Sequence, residues 1–107
     1  MKDRLPDLTH LQFVVLGALR ESEQPGRAVR DALARYGVRR TAAAFYQMMA
    51  RLERARLVEG WYEQVTVGDQ AVTERRYRLT PVGRRAWDAT RAFYARAEPA
   101  RARWSDA

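Results

Sequence analysis

Apolar residues recur along this chain at two periods, and the change from one to the other divides it into elements. Leu11, Val14, Val15, Ala18 and Leu19 repeat at helical spacing behind a Thr9-x-x-Gln12 capping box, which predicts a helix over about 10–21. Phe13 and Leu16 widen its apolar surface, so it is expected to be the central helix, buried on more than one side. Ser22, Pro25 and Gly26 break the pattern. Ala28, Val29, Ala32, Leu33 and Tyr36 then form a second stripe that ends at Gly37, a residue suited to a left-handed cap, and predict a helix over about 26–36. Thr41 is placed to cap a third helix, in which Phe45, Met48, Met49 and Leu52 face the core while Ala43, Gln47, Ala50 and Arg54 point away. That outer face is small and polar, as a helix needs if it is to approach another surface closely.

After Arg56 the helical period gives way to LVEGWYEQVTV, rich in β-formers, then to Gly68 and Asp69 as turn residues, then to AVTERRYRLT. This predicts a β-hairpin. Thr80 and Pro81 next supply the cap and first position of a last helix, expected to run to about Glu98 and to stop at Pro99, with ARARWSDA as a frayed tail. The order helix, helix, helix, hairpin, helix is that of a mainly α winged helix-turn-helix with one added C-terminal helix. A winged-helix unit is expected over 1–80 and a C-terminal dimerisation helix and tail over 81–107, packed as one compact body. A plain helical bundle with a β-excursion fits the periods too, but gives no reason for the Thr41 cap, the small-residue face and the basic hairpin arm to occur together.

Composition narrows the chemistry. At 107 residues the chain suits one hydrophobic core. It has no cysteine and a single histidine, His10, so disulfides, thiolate metal sites and most acid–base or nucleophilic constellations are not expected, and neither is an enzyme, a metal or a cofactor. Asp88, Glu98 and the other carboxylates show no paired arrangement of a catalytic kind. No apolar run approaches the ~18 residues of a membrane span, and the start MKDRLPDLTH does not read as a signal peptide, so a cytoplasmic protein without membrane contact is expected.

The net charge of +7 comes with 19 arginines and points to a polyanionic partner. Its placement matters more than its size. Residues 25–59 carry +5 and residues 74–85 carry +4, leaving −2 for the remainder, so the positive field belongs to the second and third helices and the second hairpin arm. Those are the parts of a winged helix that face duplex DNA.

Two stretches carry a family signature. AAFYQMMARLERARLVEGW (43–61) and TERRYRLTPVG (73–83) resemble the PadR family of bacterial transcriptional regulators, with Arg51, Leu52, Leu57, Val58, Arg76, Tyr77, Leu79, Thr80 and Gly83 on the matching positions. Gly26 and Val29 in EQPGRAV are a weaker match. The chain departs from the family pattern at Ala42, Ala43 and Ala44, where Pro-Gly-Thr is usual, at Arg27, where Tyr is usual, and at Arg56, often Gly. The resemblance implies a homodimeric, repressor-type binder of double-stranded DNA, dimerised by its C-terminal helix, in some members with a small planar aromatic effector near the dimer interface.

On this reading Gln47 is the candidate for base recognition, because a side-chain amide can pair bidentately with adenine. Ala43 allows close approach beside it. Arg39, Arg40 and Thr41 are candidates for phosphate contact at the entrance to the third helix. Tyr46 is expected to pack on the hairpin with its hydroxyl toward a phosphate, and Arg51 and Arg54 to reach backbone or bases. In the hairpin Arg76 and Arg78 alternate with Tyr77 and Leu79, so one pair should cover the core and the other face outward, with DNA contacts from the arm and not the tip. Val82, Ala86, Trp87, Ala89, Phe93 and Tyr94 form the expected dimerisation stripe of the last helix, and Phe13, Trp87 and Phe93 the expected lining of an effector crevice. A winged helix serving as a protein-interaction module in a transcription or phage regulatory assembly is the competing function; binding to duplex DNA separates the two.

Overall fold

Four helices and a small antiparallel sheet follow one another as α1 (His10–Ala18), β1 (Gln24–Pro25), α2 (Gly26–Arg35), α3 (Ala42–Arg54), β2 (Val58–Val67), β3 (Gln70–Leu79) and α4 (Pro81–Asp106). These are the elements of a computed structural model, which describes the backbone over residues 5–106 and the side chains over residues 5–97. The architecture is a winged helix-turn-helix extended by a long C-terminal helix.

The helix ends show why these segments fold as they do. At α1 the capping box forms in full: Thr9 Oγ1 accepts from the Gln12 amide and Gln12 Oε1 accepts from the Thr9 amide. At α2 the chain turns through Gly37 at φ 81°, with Val38 N–H donating to Leu33 O and Gly37 N–H to Ala34 O, the double bond of a Schellman cap. The third helix ends the same way with a different residue, since Leu57 N–H donates to Leu52 O, Arg56 N–H donates to Glu53 O, and the left-handed position (φ 63°) is Arg56.

In the sheet, β3 lies between β1 and β2. The β2–β3 hairpin pairs Val58 with Leu79 through to Val67 with Gln70 about a two-residue turn, Gly68-Asp69, with Gly68 at φ 64°. Short β1 pairs Gln24 with Tyr77 and Pro25 with Arg76 and so fastens the start of α2 to the wing.

The core gathers one face of each of α1, α2, α3 and the β2–β3 hairpin. Val15 and Leu16 of α1 with Leu19 just beyond its end, Val29 and Leu33 of α2, Phe45, Met48, Met49 and Leu52 of α3, and Val58 and Tyr77 of the hairpin are buried together. Burial on this scale removes ~1.5–3 kcal/mol of apolar side-chain hydration for each large residue. It also fixes the Tyr77 phenol, whose pKa burial pushes up to about 12.

Three expectations need correction. The first helix ends at Ala18 and not near 21, because Leu19 and Arg20 fold back onto the carbonyls of Leu16 and Gly17 so that the chain can enter β1. A two-residue strand carries too little periodicity to be seen in advance. Pro99 does not stop the last helix, which continues to Asp106 and takes in residues expected to fray. The missing Pro99 amide removes one rung, and runs of Ala and Arg, among the strongest helix formers, flank it on both sides.

Candidate nucleic-acid interface

The third helix is assembled so that one face is committed to the core and the other left free. Phe45, Met48, Met49 and Leu52 are buried, while Ala43, Tyr46, Gln47, Arg51 and Arg54 are exposed. Thr41 caps it, its Oγ1 accepting from the Ala44 amide at 3.1 Å, and the remaining amides of the first turn point outward with the positive end of the helix dipole. Arg39 and Arg40 lead into that terminus, and Arg30 Nη2 donates to the Arg40 carbonyl at 3.1 Å, tying the loop to α2. Behind them a crevice of about 180 Å³ is lined by Arg27, Arg30, Asp31, Arg39 and Arg40. Arg39, Arg40, Arg51 and Arg54 are all exposed and have no carboxylate partner among the described residues. Gln47 thus lies at the middle of a face whose two ends carry unpaired cations.

Tyr46 lies beside the hairpin, sharing a notch with Tyr62, Thr73 and Arg75. Its ring meets Phe45 edge-on at 5.1 Å and its hydroxyl lies over Gly26, where a Cβ would come within 3.1 Å of it. The glycine at the start of α2 is what admits the tyrosine.

The wing is electrically unlike the helix. Arg76 and Arg78 share the face of the hairpin opposite to buried Tyr77, and both are held by carboxylates. Arg78 Nε donates to Glu59 Oε1 at 2.7 Å and the guanidinium lies 5.3 Å from the Trp61 ring centre. Arg76, its side chain only 18% exposed, bridges Glu74 at 2.5 Å and Glu23 at 3.4 Å. Most of the positive charge counted on the second arm is therefore matched inside the protein.

The arginine on the α3 side is Arg75, which the sequence reading passed over. It reaches Glu53 of α3 at 2.9 Å and lies 4.6 Å from the ring centre of Tyr62, a residue 70% exposed. Gly60 makes the room, since a Cβ there would fall 2.8 Å from Arg75 Nη2 and 3.1 Å from Glu53 Cδ. Strand alternation contains the missing signal: Arg75 shares the parity of Tyr77, so burying Tyr77 turns Arg75 toward α3.

Of the expected dimerisation residues, Trp87 turns inward. It stacks on Phe13 of α1 at 5.6 Å and 11°, with its Nε1 buried against Gly17 and without a hydrogen-bond acceptor. Phe93 does not join that pair. It lines, with Leu5, Leu8, Leu57, Ala86 and Ala89, a separate apolar groove of about 580 Å³ along α4, while Val82 and Tyr94 stay 45% exposed. Among the described residues no helix is long and apolar enough to cross a membrane.

No protein-family model and no curated protein matches the sequence. Solved structures do. A PadR-family transcriptional regulator from Eggerthella lenta superposes at TM-score 0.62 with 28% identity, covering 88% of this chain and 80% of that one. A PadR-family regulator from Clostridium difficile gives TM-score 0.73 with 11% identity over 90% of this chain and 98% of that one. Bacillus subtilis PadR, solved in complex with operator DNA, gives TM-score 0.59 with 19% identity over 81% of this chain and 47% of that one. The fold of this chain is PadR-like.

Proposed function

We propose that this PadR-like chain is a sequence-specific, homodimeric regulator of transcription that binds double-stranded DNA, of repressor type. The observation that carries the reading is the free face of α3, where Gln47 stands between the unpaired cations Arg39 and Arg40 at one end and Arg51 and Arg54 at the other. Phosphates on either side of a major groove are matched by those cations and by the Thr41-capped helix terminus, and Gln47 and Ala43 meet base edges between them. The likeness in fold to a protein solved in complex with operator DNA supports duplex DNA as the partner.

Two copies using four free arginines each neutralise about four to eight phosphates, which gives a log–log salt slope of about −4 to −7. Gel-shift titration across salt concentrations, paired with site selection from a random duplex library, tests this. The selected site should be palindromic, and Gln47→Ala should relax preference at one position per half-site without altering the slope. A flat salt response, or no retardation of any duplex at ~50 mM salt, leaves the winged helix as a protein-contact module instead.

The Phe13–Trp87 stack extends the reading to a small planar aromatic effector. A cavity of about 200 Å³ borders the stack beside Gly17, Arg20 and Arg35, with the Trp87 indole as an aromatic wall. Isothermal titration with simple phenolic compounds should show saturable binding that Trp87→Phe weakens; heats equal to dilution would remove the effector from the proposal.

A further inference from the structure

Between the start of α2, α3 and the wing lies a notch of about 430 Å³ whose polar lining is Arg27, Tyr46, Tyr62, Thr73, Glu74 and Arg75. Its guanidiniums and hydroxyls suit an anion; Arg75 is already paired with Glu53 behind it, and Glu74 is the one carboxylate among the lining residues. That carboxylate is bound on both sides. Glu74 Oε1 accepts from Arg27 and Oε2 accepts from Arg76 Nη1, while Arg76 keeps Glu23 as a second partner. Exposure is divided unequally, Glu74 being 11% exposed and Arg27 70%. The hydrogen bond from Arg27 holds the Glu74 carboxyl below the usual carboxylate range in spite of desolvation, so it remains an anion at neutral pH.

We infer that Glu74 acts as an internal anion in a seat that a DNA phosphate would otherwise take, and so limits how tightly this chain binds any duplex. The inference rests on the DNA-binding reading above. Affinity for the polyanion comes from cations whose counterions are released on binding. Arg39, Arg40, Arg51 and Arg54 contribute in full, whereas Arg27 is already neutralised by Glu74, and a phosphate arriving at the notch meets a carboxylate of like charge. Arg76 would stay paired with Glu23 if Glu74 were lost, so Glu74 restrains one arginine, Arg27.

The test is a mutant cycle read by fluorescence anisotropy on a mixed-sequence duplex across salt concentrations, with circular dichroism melts to confirm folding. Glu74→Gln should tighten binding roughly five- to tenfold at ~0.1 M salt and steepen the log–log slope by about one unit, the contribution of one further phosphate contact. Arg27→Ala should change wild-type binding by less than about twofold, yet should cancel the gain when added to Glu74→Gln. Because Arg27 is exposed, that single variant gives a reading even if Glu74→Gln fails to fold. A five- to tenfold loss on Arg27→Ala alone, or an unchanged Glu74→Gln slope in a folded protein, overturns the inference while leaving DNA binding intact. A wild-type chain that binds no duplex overturns both.

Discussion

Arg56 holds a left-handed backbone position that an L side chain occupies at a cost of roughly 1–2 kcal/mol. The Schellman cap of α3 demands that conformation, and its bonds are made by backbone groups that any residue supplies. The side chain is exposed, so its removal loses no packing. Arg56→Gly should therefore stabilise the fold by about 1 kcal/mol after the extra unfolded-state freedom of glycine is allowed for, raising the melting temperature by about 4–8 °C. A thermal melt that moves downward would show that the arginine makes a contact outweighing its strain. The residue scale is also where the sequence was hardest to read: Arg75, Arg76 and Arg78 are alike as letters, and only the parity imposed by buried Tyr77 separates the one facing α3 from the two facing away.

At the scale of elements, the join between the hairpin and α4 shows why threonine and glycine stand three residues apart. Thr80 Oγ1 accepts from the Gly83 amide at 2.9 Å and donates to the Arg56 carbonyl at 2.6 Å, so one side chain caps α4 and anchors it to the end of α3. Gly83 completes the join, because a Cβ there would lie 2.0 Å from the Leu57 carbonyl oxygen. Backbone cannot step aside as a flexible side chain can. Gly83→Ala should push the α4 terminus off the sheet, stretch both Thr80 bonds and cost about 2–3 kcal/mol, seen as a lower urea midpoint. An unchanged midpoint would mean that α4 docks without this close approach. The Thr80 cap and the helix it starts were legible in the sequence; the reason for Gly83 was not, since it depends on a carbonyl 26 positions earlier in the chain.

On the scale of the whole molecule, α4 is the element whose burden of apolar surface exceeds what its own chain covers. Trp87 is used internally against Phe13, but Val82 and Tyr94 remain exposed and Phe93 lines an open groove. A twofold pairing through that helix, as proposed, would cover the groove and set two α3 faces about one DNA turn, ~34 Å, apart. Phe93→Asp should place a carboxylate from each copy in the interface, at a cost of several kcal/mol. Light scattering should then report a monomer that keeps its helical circular dichroism and loses affinity for a palindrome far more than for a half-site. A wild-type monomer at micromolar concentration, or a dimeric Phe93→Asp protein, would refute the pairing.

The amphipathic stripes, the Thr9, Thr41 and Thr80 caps, the Gly37 turn and the Gly68-Asp69 hairpin are local, and the sequence alone determined them because period, cap and turn chemistry act over a few residues. It determined equally which face of α3 is free, since burying Phe45, Met48, Met49 and Leu52 leaves no other choice. The tertiary structure decided where charge remains available. Glu23, Glu53, Glu59 and Glu74 reach the wing arginines and Arg27 across turns and strands, so the second arm's formal excess is largely matched, while Arg39, Arg40, Arg51 and Arg54 have no carboxylate partner among the described residues. It also decided that β1 ties α2 to the wing and that Trp87 faces α1. Charge along a sequence adds by count, but charge in a fold cancels by distance, and distance between residues far apart in the chain exists only once the core has closed.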